Sequence, residues 1–357
     1  MKLELAPEKL RALPVQVTDL PRGGAVIKRG RVEIRLHGDQ AGDAVRAVLE
    51  AARQGASLEE IVARFAPPDH PSVEALVQHL MARRILVLES DLAPGAAEGE
   101  SQLDVFYWHF GEPAHEIAQR FTRTRFRILG VNAISRRLAV SLRAAGAEDV
   151  EVLDHPWLRN PELFDDDGGL AAGAWPGGLE TPSPVGDRGD LDPGSLDCLV
   201  ATSDLGDTRP LREWNELCLL HNIPFLPVLL QDLVGYVGPL VVPGETACYE
   251  CLRSRQNSHL PDPVAHRAAE DAPGRPVAGF HPAMASILGD VAAVELTKFF
   301  GLRPLSRIGT LLEVNLLGGE MTPRRVLKLP RCPVCSTLAL TPSAPFTRAM
   351  LFPGSRG

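Results

Sequence analysis

The chain has 357 residues, of which 45% are hydrophobic, and carries a formal net charge of -8 at neutral pH. This length allows two or three domains with buried cores, and the negative charge argues against nonspecific attraction to nucleic acid or anionic membranes. No segment approaches the roughly 20 apolar residues of a membrane span, and the N-terminus lacks signal-peptide features, so we expect a cytoplasmic protein. Six cysteines are too few for a secreted disulfide framework and favour metal binding.

The first 90 residues have the pattern of a small α+β domain. Ala25–Lys28 and Arg31–Leu36 flank a turn, and the second of these segments alternates apolar and charged residues, which predicts a half-buried hairpin. A capping box at Ser57–Glu60 opens one helix, and a second apolar stripe predicts a helix over Ser72–Arg84. With a closing strand at Ile85–Leu88, this order is typical of a winged helix-turn-helix.

Two stretches between the apolar patterns differ in composition. Residues 91–123 are predicted to be a linker and connecting segment, because Glu89–Gln102 is rich in Gly, Ala, Ser and acidic residues. Asn160–Gly194 is richer still in Gly, Pro and Asp, which predicts a loop or a disordered insertion.

The second half, residues 124–336, alternates strand and helix patterns. Phe126–Gly130, a helix over Ile134–Ala145 and Val150–Asp154 have the order of a nucleotide-binding βαβ unit. Further strand patterns at Leu196–Ala201 and Pro224–Leu230 predict a parallel, Rossmann-like α/β domain. We assign residues 337–357 to a C-terminal tail.

Four cysteines form two pairs with metal-ligand spacing, Cys248/Cys251 and Cys332/Cys335. Two residues between cysteines let one turn present both sulfurs to a single ion, and four thiolates leave no position for a catalytic water. We therefore predict a structural zinc site that clamps two distant segments. The alternative is that one or both pairs are free or redox-active thiols. Cys198 and Cys218 lie in a predicted strand and helix and are expected to pack in the core.

A family resemblance is carried by Asp197–Asp204, Ile223-Pro224, Gly238 and Pro243–Leu252, which resemble the ThiF/ubiquitin-activating superfamily in residue and order. Within that superfamily, the Phe280–Ala283 helix start, the Arg331–Cys335 end and the winged-helix N-terminus resemble the cyclodehydratase C-protein or ThiF-like F-protein of azole-forming (thiazole and oxazole) RiPP pathways, which include bacteriocin and antibiotic biosynthesis. The resemblance covers about residues 1 to 336.

This resemblance implies a function in substrate recognition. Residues 1–90 would be a RiPP recognition element that binds the leader region of a ribosomal precursor peptide. The chain would deliver that peptide to a separate YcaO cyclodehydratase, which makes azolines from Cys, Ser or Thr. The resemblance leaves open the C-protein or F-protein subtype, and a homodimer is a further partner to consider.

By the same resemblance, the peptide adds to the strand Arg31–Leu36 as an extra strand and contacts the helix Ser72–Arg84. The basic hairpin in an acidic protein suggests an acidic leader; from charge alone, a solvated surface without a ligand is the alternative. The predicted peptide-binding residues are Lys28, Arg29, Arg31, Val32, Glu33, Ile34, Arg35, Leu76, His79, Leu80 and Arg83.

A vestigial nucleotide site is predicted at Gly130, Asn132, Asp154 and Asp204. Asp154 matches the family's ribose acid and Asp204 its magnesium acid. Only Gly130 remains of the glycine-rich turn, no lysine occurs between Lys28 and Lys298, and no cysteine lies between Cys251 and Cys332. We therefore expect no catalytic residue and no use of ATP by this chain alone.

Two other functions are weighed against this one. The first is an autonomous ThiF-like adenylating enzyme. The second is a zinc-containing winged-helix DNA-binding regulator, for which His79, Arg83 and Arg84 offer few phosphate contacts.

Overall fold

The computed structural model describes residues 8–336 except 22, 93–101, 109, 111–113, 207, 232, 271–278 and 303–307. The predicted tail, residues 337–357, lies outside this part. The chain divides into two compact units, Met1–Arg120 and Phe121–Gly357. No helix among the described residues is long and apolar enough to cross a membrane.

The N-terminal unit contains two three-stranded antiparallel sheets and several short helices. In chain order its elements are β1 Lys9–Ala12, β2 Gln16–Asp19, β3 Ala25–Arg29, β4 Val32–Leu36, α1 Ala41–Arg53, β5 Ala56–Ser57, α2 Leu58–Val62, α3 His70–Ala82, β6 Leu86–Leu88 and α4 Gln102–Trp108. The helix α5, Ala114–Thr122, crosses the division between the units. The predicted linker region therefore contains helices.

Local sequence signals account for the elements of this unit. Ser57 and Glu60 form the predicted capping box at the start of α2. The hairpin of β3 and β4 buries Ala25, Ile27 and Ile34, the alternate positions expected of strands with one buried face. Among the residues that the structure describes, β4 pairs only with β3 and is an edge of the sheet with order β2-β3-β4. The winged-helix identity of the unit stays a prediction.

The second unit is built on an eight-stranded sheet with the order β14-β13-β12-β11-β10-β7-β8-β9. The five neighbouring strands β11, β10, β7, β8 and β9 are parallel to one another. The remaining three, β12, β13 and β14, pair antiparallel with their neighbours. Its elements are β7 Arg125–Leu129, α6 Ala133–Ala144, β8 Asp149–Asp154, β9 Ser183–Pro184, β10 Cys198–Ser203, α7 Arg209–Leu220, β11 Phe225–Gln231, β12 Val234–Val237, α8 Tyr249–Asn257, α9 Pro263–Glu270, α10 Pro282–Leu302, β13 Thr310–Asn315 and β14 Glu320–Arg325.

Both faces of this sheet are covered, as expected for parallel strands that are apolar throughout. On one face, α6 and α10 pack through residues such as Leu138 and Leu288. On the other face, α7 and α8 pack through residues such as Trp214 and Leu252. The sheet therefore presents the carboxyl ends of its parallel strands between two helical layers.

The segment from Asn160 to Gly194 is ordered, whereas a disordered insertion is one of the two predictions made for it from the sequence. It is mostly irregular, but Leu163, Val185 and Leu191 around it are buried, and β9 pairs with β8. The idea of a disordered, unpacked insertion is therefore wrong. Buried leucines spaced through a Gly- and Pro-rich stretch keep it on the core.

Candidate functional site

The first turn of α6 occupies the place where nucleotide-binding βαβ units present backbone N–H groups to phosphate. Gly130 has a φ of +104°, and a Cβ added there would lie 2.8 Å from the Thr202 carbonyl oxygen. The Asn132 side chain accepts hydrogen bonds from the N–H groups of Ile134 and Ser135, at 3.1 and 3.0 Å. Two of the helix's free donors are therefore bonded to the chain's own cap.

Asp204 accepts a hydrogen bond from the N–H of Ala133, the first residue of the same helix. Its carboxylate accepts the Ala133 N–H at 2.9 Å and the Asn160 side-chain amide at 2.8 Å. The residue is 3% exposed, and burial raises the pKa of its carboxyl group above the ordinary value, although these two hydrogen bonds oppose the shift. The acid that matches the family's magnesium acid, at a site predicted to be vestigial, is thus hydrogen-bonded within the chain at the helix start.

Asp154 lies at the end of β8, at the position predicted for the ribose acid. Both of its carboxylate oxygens accept hydrogen bonds from Arg159, each at 2.7 Å. The Arg159 guanidinium also stacks over the Phe164 ring, 4.7 Å from its centroid. A bidentate pair of this kind fixes both side chains, so Asp154 is engaged within the chain.

The sequence interpretation did not identify the partners in these contacts. The roles of Arg159 and Asn160 depend on the fold that brings them to Asp154 and Asp204. No spacing rule would have found the Asn160–Asp204 bond, because the residues are 44 positions apart.

The four predicted metal ligands lie together as one cluster. Their sulfurs are all within 4.8 Å of one another, with Sγ–Sγ distances of 3.8 Å for Cys248–Cys251, 3.6 Å for Cys248–Cys332 and 3.5 Å for Cys251–Cys335. Four thiolates at about 2.3 Å from a central ion form a tetrahedron with edges of about 3.8 Å. The cluster therefore has the donor set and spacing to hold a metal ion.

The surroundings of the cluster fix the sulfurs and favour a thiolate at Cys251, whereas the hydrogen bond to Cys251 raises the pKa of Cys248 and burial raises the pKa of Cys335. Cys248 is the cap residue of α8, and the next N–H, that of Tyr249, donates to the buried Asn215 side chain at 3.1 Å. Hydrogen bonds from the Cys248 thiol and the Leu329 N–H help to lower the pKa of Cys251 well below that of a free thiol. Cys335 is the one partly exposed member. Cys198 and Cys218 are fully buried in β10 and α7, as expected.

The predicted peptide-binding residues form a second candidate region, in the N-terminal unit. Lys28, Arg31 and Arg35 are exposed on the hairpin, and Arg35 pairs with Glu33 at 2.9 Å. On α3, His79 and Arg83 at its end are exposed, and Leu76 is half-buried. Val32 on β4 is also half-buried. These side chains are accessible to a ligand.

Three members of the predicted set have buried side chains. Ile34 is 5% and Leu80 0% exposed, and both belong to the core of the unit. Arg29 is 8% exposed, and its guanidinium donates to the Pro14 carbonyl oxygen at 3.3 Å. We therefore remove these side chains from the surface offered to a peptide; the strand alternation already indicated this for Ile34.

Comparisons with known proteins agree with the fold of the chain. No family model matches the sequence. The protein HesA of Leptolyngbya boryana is 28% identical over 154 residues, which span 42% of this chain and 50% of HesA. At this level the chain matches about half the length of that relative.

Solved structures match over nearly the whole chain. E. coli MccB, determined with ATP, has a TM-score of 0.65 and 17% identity, covering 92% of this chain and 99% of MccB. MccB with MccA-N7isoASN gives a TM-score of 0.64 at 16% identity over the same shares. The heterocyclase TruD has a TM-score of 0.61 and 19% identity, covering 92% of this chain and 43% of TruD. The chain therefore has the α/β fold that MccB shares with part of TruD.

Proposed function

We propose that this chain binds the leader region of a ribosomal precursor peptide and presents it to a separate YcaO cyclodehydratase, without adenylating a substrate itself. The cyclodehydratase makes azolines from Cys, Ser or Thr of the same peptide. The C-protein and F-protein subtypes both fit this proposal.

The observation that carries the non-catalytic part is the filled start of α6. The N–H groups of Ala133, Ile134 and Ser135 are all bonded to Asp204 or Asn132. A phosphate would have to displace these contacts and would face the carboxylate of Asp204, which is unfavourable. MccB has the same fold and was determined with ATP, so the fold alone does not decide the question. The contacts of this chain's own residues support the proposal.

Zinc is the metal that best fits the four-cysteine cluster. Zinc accepts four thiolates in a tetrahedron, and the cluster supplies four sulfurs at matching separations. A fully coordinated ion of this kind supplies no catalytic water. The four cysteines lie at the start of α8 and in the turn after β14, so the ion would hold these two segments of the second unit together.

The edge position of β4, which has no second partner strand in the described part of the chain, supports the peptide-binding part. An edge strand offers unpaired backbone groups to which an extended peptide can add. Lys28, Arg31 and Arg35 give the hairpin accessible positive charge, which suits an acidic leader.

The test is leader affinity measured by fluorescence polarisation. We expect the double variant Arg31→Glu with Arg35→Glu to weaken binding at low salt, with a smaller difference at high salt because screening removes the electrostatic part. Arg53→Glu is the matched control, since Arg53 is an exposed arginine on α1. Unchanged affinity in the double variant would remove this hairpin as the docking edge, and no leader binding by the wild type would overturn the proposal.

The adenylating alternative is tested by ATP–pyrophosphate exchange with the purified chain and its peptide. Our proposal expects no exchange without the YcaO partner and faster azoline formation when both are mixed. Exchange by the chain alone would establish the alternative function.

A further inference from the structure

A cavity lies beside the filled start of α6, on the face of the helix that is directed away from the core. It has a volume of about 420 Å³ and is lined by Ala133, Arg136, Arg137 and Val140 from α6, and by Gly173, Ala174, Pro176 and Ser286. The α6 residues recur at helical spacing, whereas Ile134 and Leu138 point into the core. This volume falls in the usual range for ligand pockets.

The charged side chains that line this cavity are both positive. No acidic side chain lines it, and no carboxylate of the described residues pairs with Arg136. One terminal nitrogen of Arg136 donates to the Ala174 carbonyl oxygen at 2.9 Å, which orients the guanidinium against residues 173–176. A guanidinium has five N–H donors, so most of those on Arg136 remain for a ligand.

Arg137 adds a second, partly neutralised cation. It donates through Nε to Asp290 on α10 at 2.8 Å, and both side chains are close to half exposed. Its terminal nitrogens make no hydrogen bond to the described residues. The two arginines come from adjacent positions on one helix, so their guanidinium groups offer planar, multiple donors of the kind that bind carboxylate or phosphate.

From this arrangement we propose that the cavity is an anion-binding site, with Arg136 as its principal donor, for a carboxylate or phosphate group of a ligand. The site lies one helical turn beyond the place where the fold would carry phosphate on backbone N–H groups. Asp204 and Asn132 occupy those groups, whereas the Arg136 donors face open space. The proposal does not depend on leader binding at β4.

The experiment uses the full-length chain and isothermal titration calorimetry with three probes. These are inorganic pyrophosphate, the peptide Gly-Gly-Asp-Asp with an acetylated amino end and a free carboxyl end, and the uncharged peptide Gly-Gly-Asn-Asn with an acetylated amino end and an amidated carboxyl end. We expect binding of at least one of the two anions and none of the uncharged peptide. Which anion binds identifies the source of the charged group.

Variants decide whether Arg136 is responsible. Loss of a charged hydrogen-bonding group is expected to weaken anion binding about 10- to 100-fold in Arg136→Ala. Arg136→Lys retains the charge and can donate to Ala174, so it should fold like the wild type and bind the anion with intermediate strength. It therefore separates loss of the guanidinium from a folding defect. Arg324→Ala, at an exposed ion pair on β14, should bind like the wild type.

The proposal is overturned if neither anion binds the wild type, or if Arg136→Ala and Arg324→Ala bind equally well. Leader affinity measured in the same samples separates this result from the proposed function. Loss of anion binding with intact leader affinity would leave the peptide-binding function standing, and the reverse result would leave the anion site standing.

Discussion

The backbone N–H of Ala133 donates to the carboxylate of Asp204 at 2.9 Å, so the first N–H of α6 is bonded to a side chain of the same protein. In an α/β sheet of this kind, that turn is the usual place for a ligand phosphate. Asn160 donates to the same carboxylate from the segment after β8. The three residues therefore close a position that the fold would otherwise leave open.

This carboxylate gives a testable dependence of stability on pH. Burial raises the pKa of Asp204, so the folded state holds its proton more tightly than the unfolded state does. The contribution of Asp204 to the free energy of unfolding must then fall as pH rises from about 4, the ordinary range of an aspartate, through the raised folded pKa.

The variant Asp204→Asn isolates this effect because it lacks the titrating group. Relative to the variant, the wild type should lose stability as pH rises from about 4 through the raised pKa of folded Asp204. Urea unfolding followed by tryptophan fluorescence measures the difference, and Trp157, Trp175 and Trp214 all report on the second unit. A difference that stays constant, or that grows in favour of the wild type as pH rises, would contradict the expected direction.

Removing a proposed metal ligand provides the second prediction. In Cys248→Ser we expect the metal content to drop and the second unit to lose several kcal/mol of stability, because the ion joins segments about 80 residues apart. Elemental analysis for zinc and thermal unfolding measure the two effects. Cys218→Ala is the control, since Cys218 is buried in α7 outside the cluster. Normal zinc content in Cys248→Ser would exclude that residue as a ligand.

The sequence was sufficient for features that depend on local pattern. The strand and helix alternation predicted the parallel sheet, and the Cys-x-x-Cys spacing predicted which four sulfurs come together. Each pattern lies within a short stretch of sequence, so it can be identified without knowledge of the tertiary fold.

Other features depend on contacts between distant segments. The Ala133–Asp204 bond joins residues 71 positions apart, and the bond between Arg136 and Ala174 joins residues 38 apart. From the sequence alone, the side chains of Asp204 and Arg136 would fit a solvated surface equally well. The burial of Leu80 likewise follows from how α3 packs on α2 and β6. Only the assembled fold distinguishes these roles.

The third prediction concerns Asn215, which contacts the helix start beside the four-cysteine cluster without being one of its sulfur donors. Its side-chain oxygen accepts the Tyr249 N–H at 3.1 Å, and Tyr249 is the first residue of α8, directly after Cys248. The residue is fully buried, so no water replaces it easily. Asn215→Ala should leave a buried donor unpaired and destabilise the second unit by about 1–3 kcal/mol.

The same change should also loosen the turn that presents Cys248 and Cys251. We therefore expect faster transfer of zinc from Asn215→Ala to a coloured chelator than from the wild type. Asn315→Ala is the matched control, because Asn315 accepts an exposed turn N–H from Gly318 at 3.0 Å, at the end of β13. If Asn215→Ala were destabilised but released zinc at the wild-type rate, Asn215 would serve the packing of α7 on α8 and not the position of the cysteines.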